Sequence, residues 1–178
     1  TTSTSIPGSQ ATASLVAFQK SSGYDSYGKE QCYNAPSREE AEAAYVTALK
    51  RLPAKASKNK FYLGDRTFLF WASNTKDTSI DVEEGFFSFL ESNNTDNPDK
   101  SIEKVIKSWK SIWSGEKPTS DDDRFYMLGL APNAGRIAVV YWNECTIREF
   151  VGKVLSHFED MEIVDDRKEQ KPYKGIYV

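Results

Sequence analysis

The sequence predicts an α+β fold: a mainly antiparallel sheet built from hairpins, with helices packed on it. Two paired runs of strand-like residues, Phe61–Ala72 and Arg124–Trp142, are each closed by a short turn rich in Gly, Asn or Asp. Separate stretches place apolar residues at helical spacing and end them with capping and stop signals. Hairpins join antiparallel neighbours, whereas parallel strands would need long crossovers that this order of elements lacks.

Taken in order, the opening TTSTSIPGSQATAS is Ser/Thr-rich and reads as irregular, and Leu15–Phe18 is a short strand candidate. Gln19–Pro36 has no sustained period and carries Gly23, Gly28 and Pro36, so it reads as a long loop, a kind that tends to be functional. A helix then follows, with Ala41, Ala44, Tyr45, Ala48, Leu49 and Leu52 on its buried face. Ser37 and Glu40 form a capping box at its start, and Pro53 closes its end. Phe61–Leu63 and Thr67–Ala72 pair around Gly64-Asp65. Asp81–Glu91 is helical with Val82, Phe86, Phe89 and Leu90 inward. The helix after Pro98 presents Ile102, Val105, Ile106, Trp109, Ile112 and Trp113 as one stripe, stopped by Gly115 and Pro118.

In the second hairpin, Tyr126, Leu128 and Leu130 alternate along one run, and Ile137, Val139 and Tyr141 along the other. The connecting loop, Ala131–Arg136, holds Pro132, which lacks an amide donor, and Gly135, which permits positive φ; Asn133 and Arg136 are brought to its tip. A last helix begins at a Thr146/Glu149 capping box and buries Ile147, Phe150, Val151, Val154, Leu155 and Phe158.

At 178 residues the chain is expected to be a single domain, 1–178, with 13% aromatic residues to fill a core. No apolar run approaches the roughly 18 residues of a membrane span. Cys32, Cys145 and the single His157 do not have metal-ligand spacing, and two free thiols are expected. A net charge of −3 argues against indiscriminate nucleic-acid binding. The charge is uneven, however: Lys50, Arg51, Lys55, Lys58 and Lys60 form a run without acids, while residues 77–99 are acidic.

Catalytic chemistry is poorly supplied. One histidine, expected at the surface near a helix C-terminus, makes no base–nucleophile pair. Asp121, Asp122 and Asp123 are adjacent and cannot all face one metal, and Gly129–Gly135 lacks the Lys-Ser/Thr of a phosphate loop. No enzyme activity, catalytic residue, metal or cofactor is expected. Binding chemistry is richer: Ser26, Tyr27, Lys29, Gln31 and Asn34 surround Gly28. Lysine reaches phosphate, and amides donate and accept at base edges.

Five motifs in order, LVAFQ, SYGKEQ, NAP followed by a helix ending AYVTAL, GDRTFLFWA and LGLAPNAGRIAVVYW, span Leu15–Trp142. Together they resemble the large subunit of the subtype I-C CRISPR surveillance complex, of the Cascade family. Gln19 stands where the family pattern has asparagine, as does Lys50. The likeness fades over residues 78–123 and after Met161. Because the family's proteins are longer on both sides, the chain reads as an internal domain of one.

The resemblance implies a non-catalytic, cytoplasmic component of antiviral defence that reads the PAM, helps open duplex target DNA and docks a helicase–nuclease. Its implied partners are the other subunits of the crRNA-guided complex, the guide RNA handle, double-stranded target DNA and the helicase–nuclease; no membrane is involved. The motif loops make Lys29, Gln31, Asn34, Asn133 and Arg136 the nucleic-acid-binding candidates. Two alternatives remain: a protein–protein interaction module without direct DNA contact, and a metal-dependent nuclease.

Overall fold

A computed structural model describes residues 6–10, 13–16, 28–29, 33, 37–73, 82–91, 98–117 and 119–160. Its elements are α1 (Glu39–Arg51), β1 (Lys60–Leu63), β2 (Arg66–Ser73), α2 (Val82–Glu91), α3 (Pro98–Trp113), β3 (Arg124–Asn133), β4 (Arg136–Thr146) and α4 (Ile147–Asp160). The strands form a four-stranded antiparallel sheet in the order β1-β2-β3-β4, with four helices packed on it, which is the α+β fold the hairpins predicted. The chain divides into two compact units: residues 1–69 with 129–141, and residues 70–128 with 142–178.

In the first unit, β1 and β2 pair from Lys60↔Leu69 to Leu63↔Arg66, so Gly64-Asp65 is a two-residue turn, with Gly64 at φ 61°. Lys60 extends its ammonium to the carbonyls of Pro53 and Ala54, at 3.0 and 2.6 Å. This ties the segment after α1 to the start of β1 and commits the last lysine of the basic run to structure.

Helix α1 departs from expectation at both its start and its face. Its N-cap is Arg38 without a side-chain bond, so the Ser37/Glu40 capping box does not form. Ala41, Ala44 and Ala48 are exposed and Leu49 alone is buried. Alanine favours helix by backbone propensity wherever it lies, so an alanine stripe says little about what covers it.

The described residues of the opening segment are held by more bonds than its composition suggested. Ile6 and Ala13 are buried, Ser9 folds back on the Ile6 carbonyl through both its amide and its hydroxyl, and the Ala13 amide donates to the Gln10 carbonyl. Ser14 forms a parallel bridge with Arg136. Beyond it, Leu15 and Val16 bend rather than extend as a strand, and residues 17 and 18 lie outside the described ones.

In the second unit, aromatic rings bind the helices to the strands. Phe125 of β3 stacks on Phe150 of α4 with centroids 3.7 Å apart, and Phe86 of α2 meets both Phe70 of β2 and Phe150 edge-on. Trp109 of α3, fully buried, sits against Phe89 and Phe150. The predicted stripe of α4 is buried in full, and the predicted box closes its start: the Thr146 amide donates to the Glu149 carboxylate, and the Glu149 amide to the Thr146 hydroxyl. These bonds, the backbone one foremost, hold the Glu149 carboxyl below its usual range.

One residue of a predicted apolar stripe lies outside. Trp113 is 55% exposed in the last turn of α3, where its ring edge lies over Gly152 of α4, leaving no room for a Cβ at that glycine. In β3 the most deeply buried residue near the start is Phe125, whereas Tyr126 is half-buried. Gly115, at φ 84°, ends α3 as predicted, its amide donating to the Ile112 carbonyl; Pro118 lies outside the described residues.

Candidate nucleic-acid interface

The Arg124–Trp142 hairpin forms, but its loop is shorter than the sequence indicated. Ala131–Asn133 complete β3, Arg136 begins β4, and only Ala134-Gly135 connect them. A two-residue hairpin turn requires positive φ at its first central position to match the twist of the strands. That position is Ala134, at φ 49°, so the left-handed backbone falls on the alanine and not on Gly135. An L-residue there costs about 1–2 kcal/mol, because Cβ crowds the following carbonyl. Ala134→Gly is therefore expected to stabilise the chain by about 0.5–1 kcal/mol, less than the full relief because glycine also loosens the unfolded state. A denaturant midpoint that falls in this variant would refute the turn geometry.

The tight turn sets Asn133 and Arg136 opposite each other at the ends of two paired strands, both exposed. The N-terminal segment holds this tip in place. The Ser14 amide donates to the Gly135 carbonyl at 3.2 Å, and the Ile137 amide donates to the Ser14 carbonyl at 3.0 Å. Gly8 lies against the Pro132 ring, where a Cβ would come within 3.3 Å, and Gln10 borders Gly135. The tip is thus a braced projection, able to hold a bidentate guanidinium and an amide steady for a ligand.

Gln10 and Ser14 escaped the sequence reading, because nothing local in a Ser/Thr-rich stretch marks a pairing with a distant turn. Lys29 is exposed beside Gly28, which adopts φ 69° with open space where a side chain would stand. Gln31 and Asn34 lie outside the described residues. Lys50, Arg51, Lys55 and Lys58 are exposed, in the same unit as the tip.

The residues weighed for catalysis take other positions. Asp123 is buried and its carboxylate accepts from the Ser120 amide at 2.9 Å, while Asp121 and Asp122 are exposed, so the three acids do not converge. Among the described residues no group of three or more His, Cys, Asp or Glu could hold a metal ion. His157 is exposed in the last turn of α4, where a basic group suits the helix C-terminus. Cys145 is a buried free thiol whose pKa is raised, chiefly by burial. Among the described residues no helix is long and apolar enough to cross a membrane.

A family model described as CRISPR-associated protein (Cas_Csd1) matches residues 1–177. No curated protein matches the chain.

Proposed function

Since the chain belongs to the Cas_Csd1 family of CRISPR-associated proteins, we propose that it is a non-catalytic domain of the large subunit of a type I-C crRNA-guided surveillance complex. In this reading it contributes to PAM recognition and target DNA binding, and to docking of the helicase–nuclease. The guide RNA reads the target by base pairing, which leaves protein to read a short flanking motif and the shape of the backbone.

The observation that supports the reading best is the braced hairpin tip, with Asn133 and Arg136 exposed at its two sides. Arginine and asparagine are the side chains whose geometry matches guanine and adenine edges in the major groove. Lys29 supplies a further exposed cation in the same unit. With a net charge of −3, the isolated chain should hold duplex DNA weakly and lose it steeply as salt rises, neighbouring subunits providing most phosphate contacts in the complex.

The test is target affinity of the assembled complex for Lys29→Ala, Gln31→Ala and Arg136→Ala, over a set of flanking motifs at fixed salt. Loss of a base contact is expected to cost about 1–3 kcal/mol and to relax the motif preference, whereas loss of a phosphate contact weakens all motifs alike. Three variants indistinguishable from wild type on every motif would remove these loops from recognition.

A second reading, a protein–protein interaction module without DNA contact, is favoured by Val139, Val140 and Tyr141, consecutive residues of β4 that are all exposed. Under it, the same three variants leave target affinity unchanged, while polar replacements on β4 weaken assembly.

A further inference from the structure

The strands of the second unit carry a group of rings that the hairpin-tip reading does not use. Trp71 of β2, Tyr126 of β3 and Trp142 of β4 come from three successive strands and touch one another. Trp71 and Tyr126 are nearly parallel, 14° apart with centroids at 5.3 Å; Trp142 is tilted and lies 5.9 and 6.0 Å from them. By strand alternation they point away from Phe70 and Phe125, which face the helices of this unit. Trp71 and Tyr126 are half-buried and Trp142 is 53% exposed.

Leaving this much indole in water is unfavourable without a ligand. The surroundings suggest the ligand's chemistry. The neighbours on the same side of the strands are polar toward one end, with Ser73 after Trp71, Arg124 before Tyr126 and Glu144 after Trp142, and apolar toward the other, with Leu69 before Trp71, Leu128 after Tyr126 and Val140 before Trp142. Flat rings with a polar margin at one end suit a planar ligand with an apolar face and a polar edge. Arg124 adds a cation for a backbone phosphate, although it also acts on the Glu149 carboxylate.

We propose that Trp71, Tyr126 and Trp142 form a stacking platform for unpaired bases of a single-stranded nucleic acid. The ligand class rests on the nucleic-acid reading above, but the site is separate from the hairpin tip and its ligand is a displaced or unpaired strand rather than a duplex. Every base has a π face, so such a platform tolerates any sequence. With one arginine and one glutamate at its margin, binding draws on stacking more than on phosphate contacts, and its salt dependence is shallow.

The experiment measures anisotropy of a labelled oligothymidylate, and of a labelled duplex, with the full 178-residue chain and its variants. Trp142→Ala is expected to weaken oligothymidylate binding about 5- to 150-fold and to leave duplex binding unchanged. Trp142→Phe, which keeps a ring, is expected to retain most of the affinity. Because Trp142 is half exposed, both variants should unfold near the wild-type midpoint. Arg136→Ala serves as the opposite control, acting on the duplex and sparing the single strand, so that the two sites can fail independently.

Wild-type chain with no saturable oligothymidylate binding at about 100 µM would overturn the platform and leave the rings to a protein partner. Equal affinity of wild type and Trp142→Ala would overturn it as well, as would equal losses in the Ala and Phe variants.

Discussion

Trp109→Ala is expected to lower the unfolding free energy of the chain by about 3–5 kcal/mol, the cost of removing a large buried ring that its surroundings cannot fill. The indole is fully buried and lies against three rigid surfaces: the Phe89 ring at 5.0 Å, the Phe150 ring at 5.9 Å, and the backbone of α2 at Gly85. A Cβ at Gly85 would stand 3.0 Å from the indole, so the helices already approach as closely as they can around it. Rings and backbone cannot collapse into the vacated space as flexible side chains would, which puts the cost toward the upper end. Denaturant unfolding, with the slope compared as well as the midpoint, measures the loss. A midpoint unchanged from wild type would remove Trp109 from the core.

Gly129→Ala is expected to be the most damaging of the small substitutions, at about 1–3 kcal/mol. A Cβ there would lie 2.8 Å from the Tyr141 Cβ and 3.0 Å from the Phe68 ring. The Tyr141 Cβ is attached to the backbone of β4 and cannot rotate away, so relief requires β3 and β4 to separate. In a protein of this length such a loss lowers the melting temperature by roughly 2–4 °C for each kcal/mol. Gly64→Ala makes the comparison informative. Nothing lies within 4 Å of its Cβ position, and its cost comes from the left-handed φ of 61° alone. If Gly129→Ala proved neutral while Gly64→Ala was costly, turn conformation at the first hairpin would limit stability more than the close approach of β3 and β4 at the second.

Much of the candidate site could be read locally. Asn133 and Arg136 flank turn formers between two apolar runs, and turn chemistry alone brings such neighbours to a tip. The length of the connection is not legible locally, because Pro132 and Asn133 resemble loop residues although they complete β3. The brace supplied by Ser14 and Gln10 was invisible, since it depends on a parallel bridge between segments far apart in the chain. The platform rings were visible as residues, but their meeting was not: Trp71, Tyr126 and Trp142 stand on different strands, and only the order of the sheet makes them neighbours.

What the sequence determined by itself was the part of the structure that short-range physics decides. Gly64-Asp65 closes the first hairpin, Thr146 and Glu149 cap α4, Gly115 ends α3, and the apolar spacing of α4 names every residue it buries. Each of these depends on residues within one turn or one helical period of each other. Only the tertiary structure decided which apolar faces are covered. Ile137, Val139 and Tyr141 alternate as core residues do, yet only Ile137 is buried, while Val139 and Tyr141 lie exposed on an edge strand. Trp113 belongs to the stripe of α3 but emerges over Gly152, and the alanines of α1 face solvent. Periodicity reports that a segment has two faces; whether another layer lies against one of them depends on where the rest of the chain goes, and that information is not local.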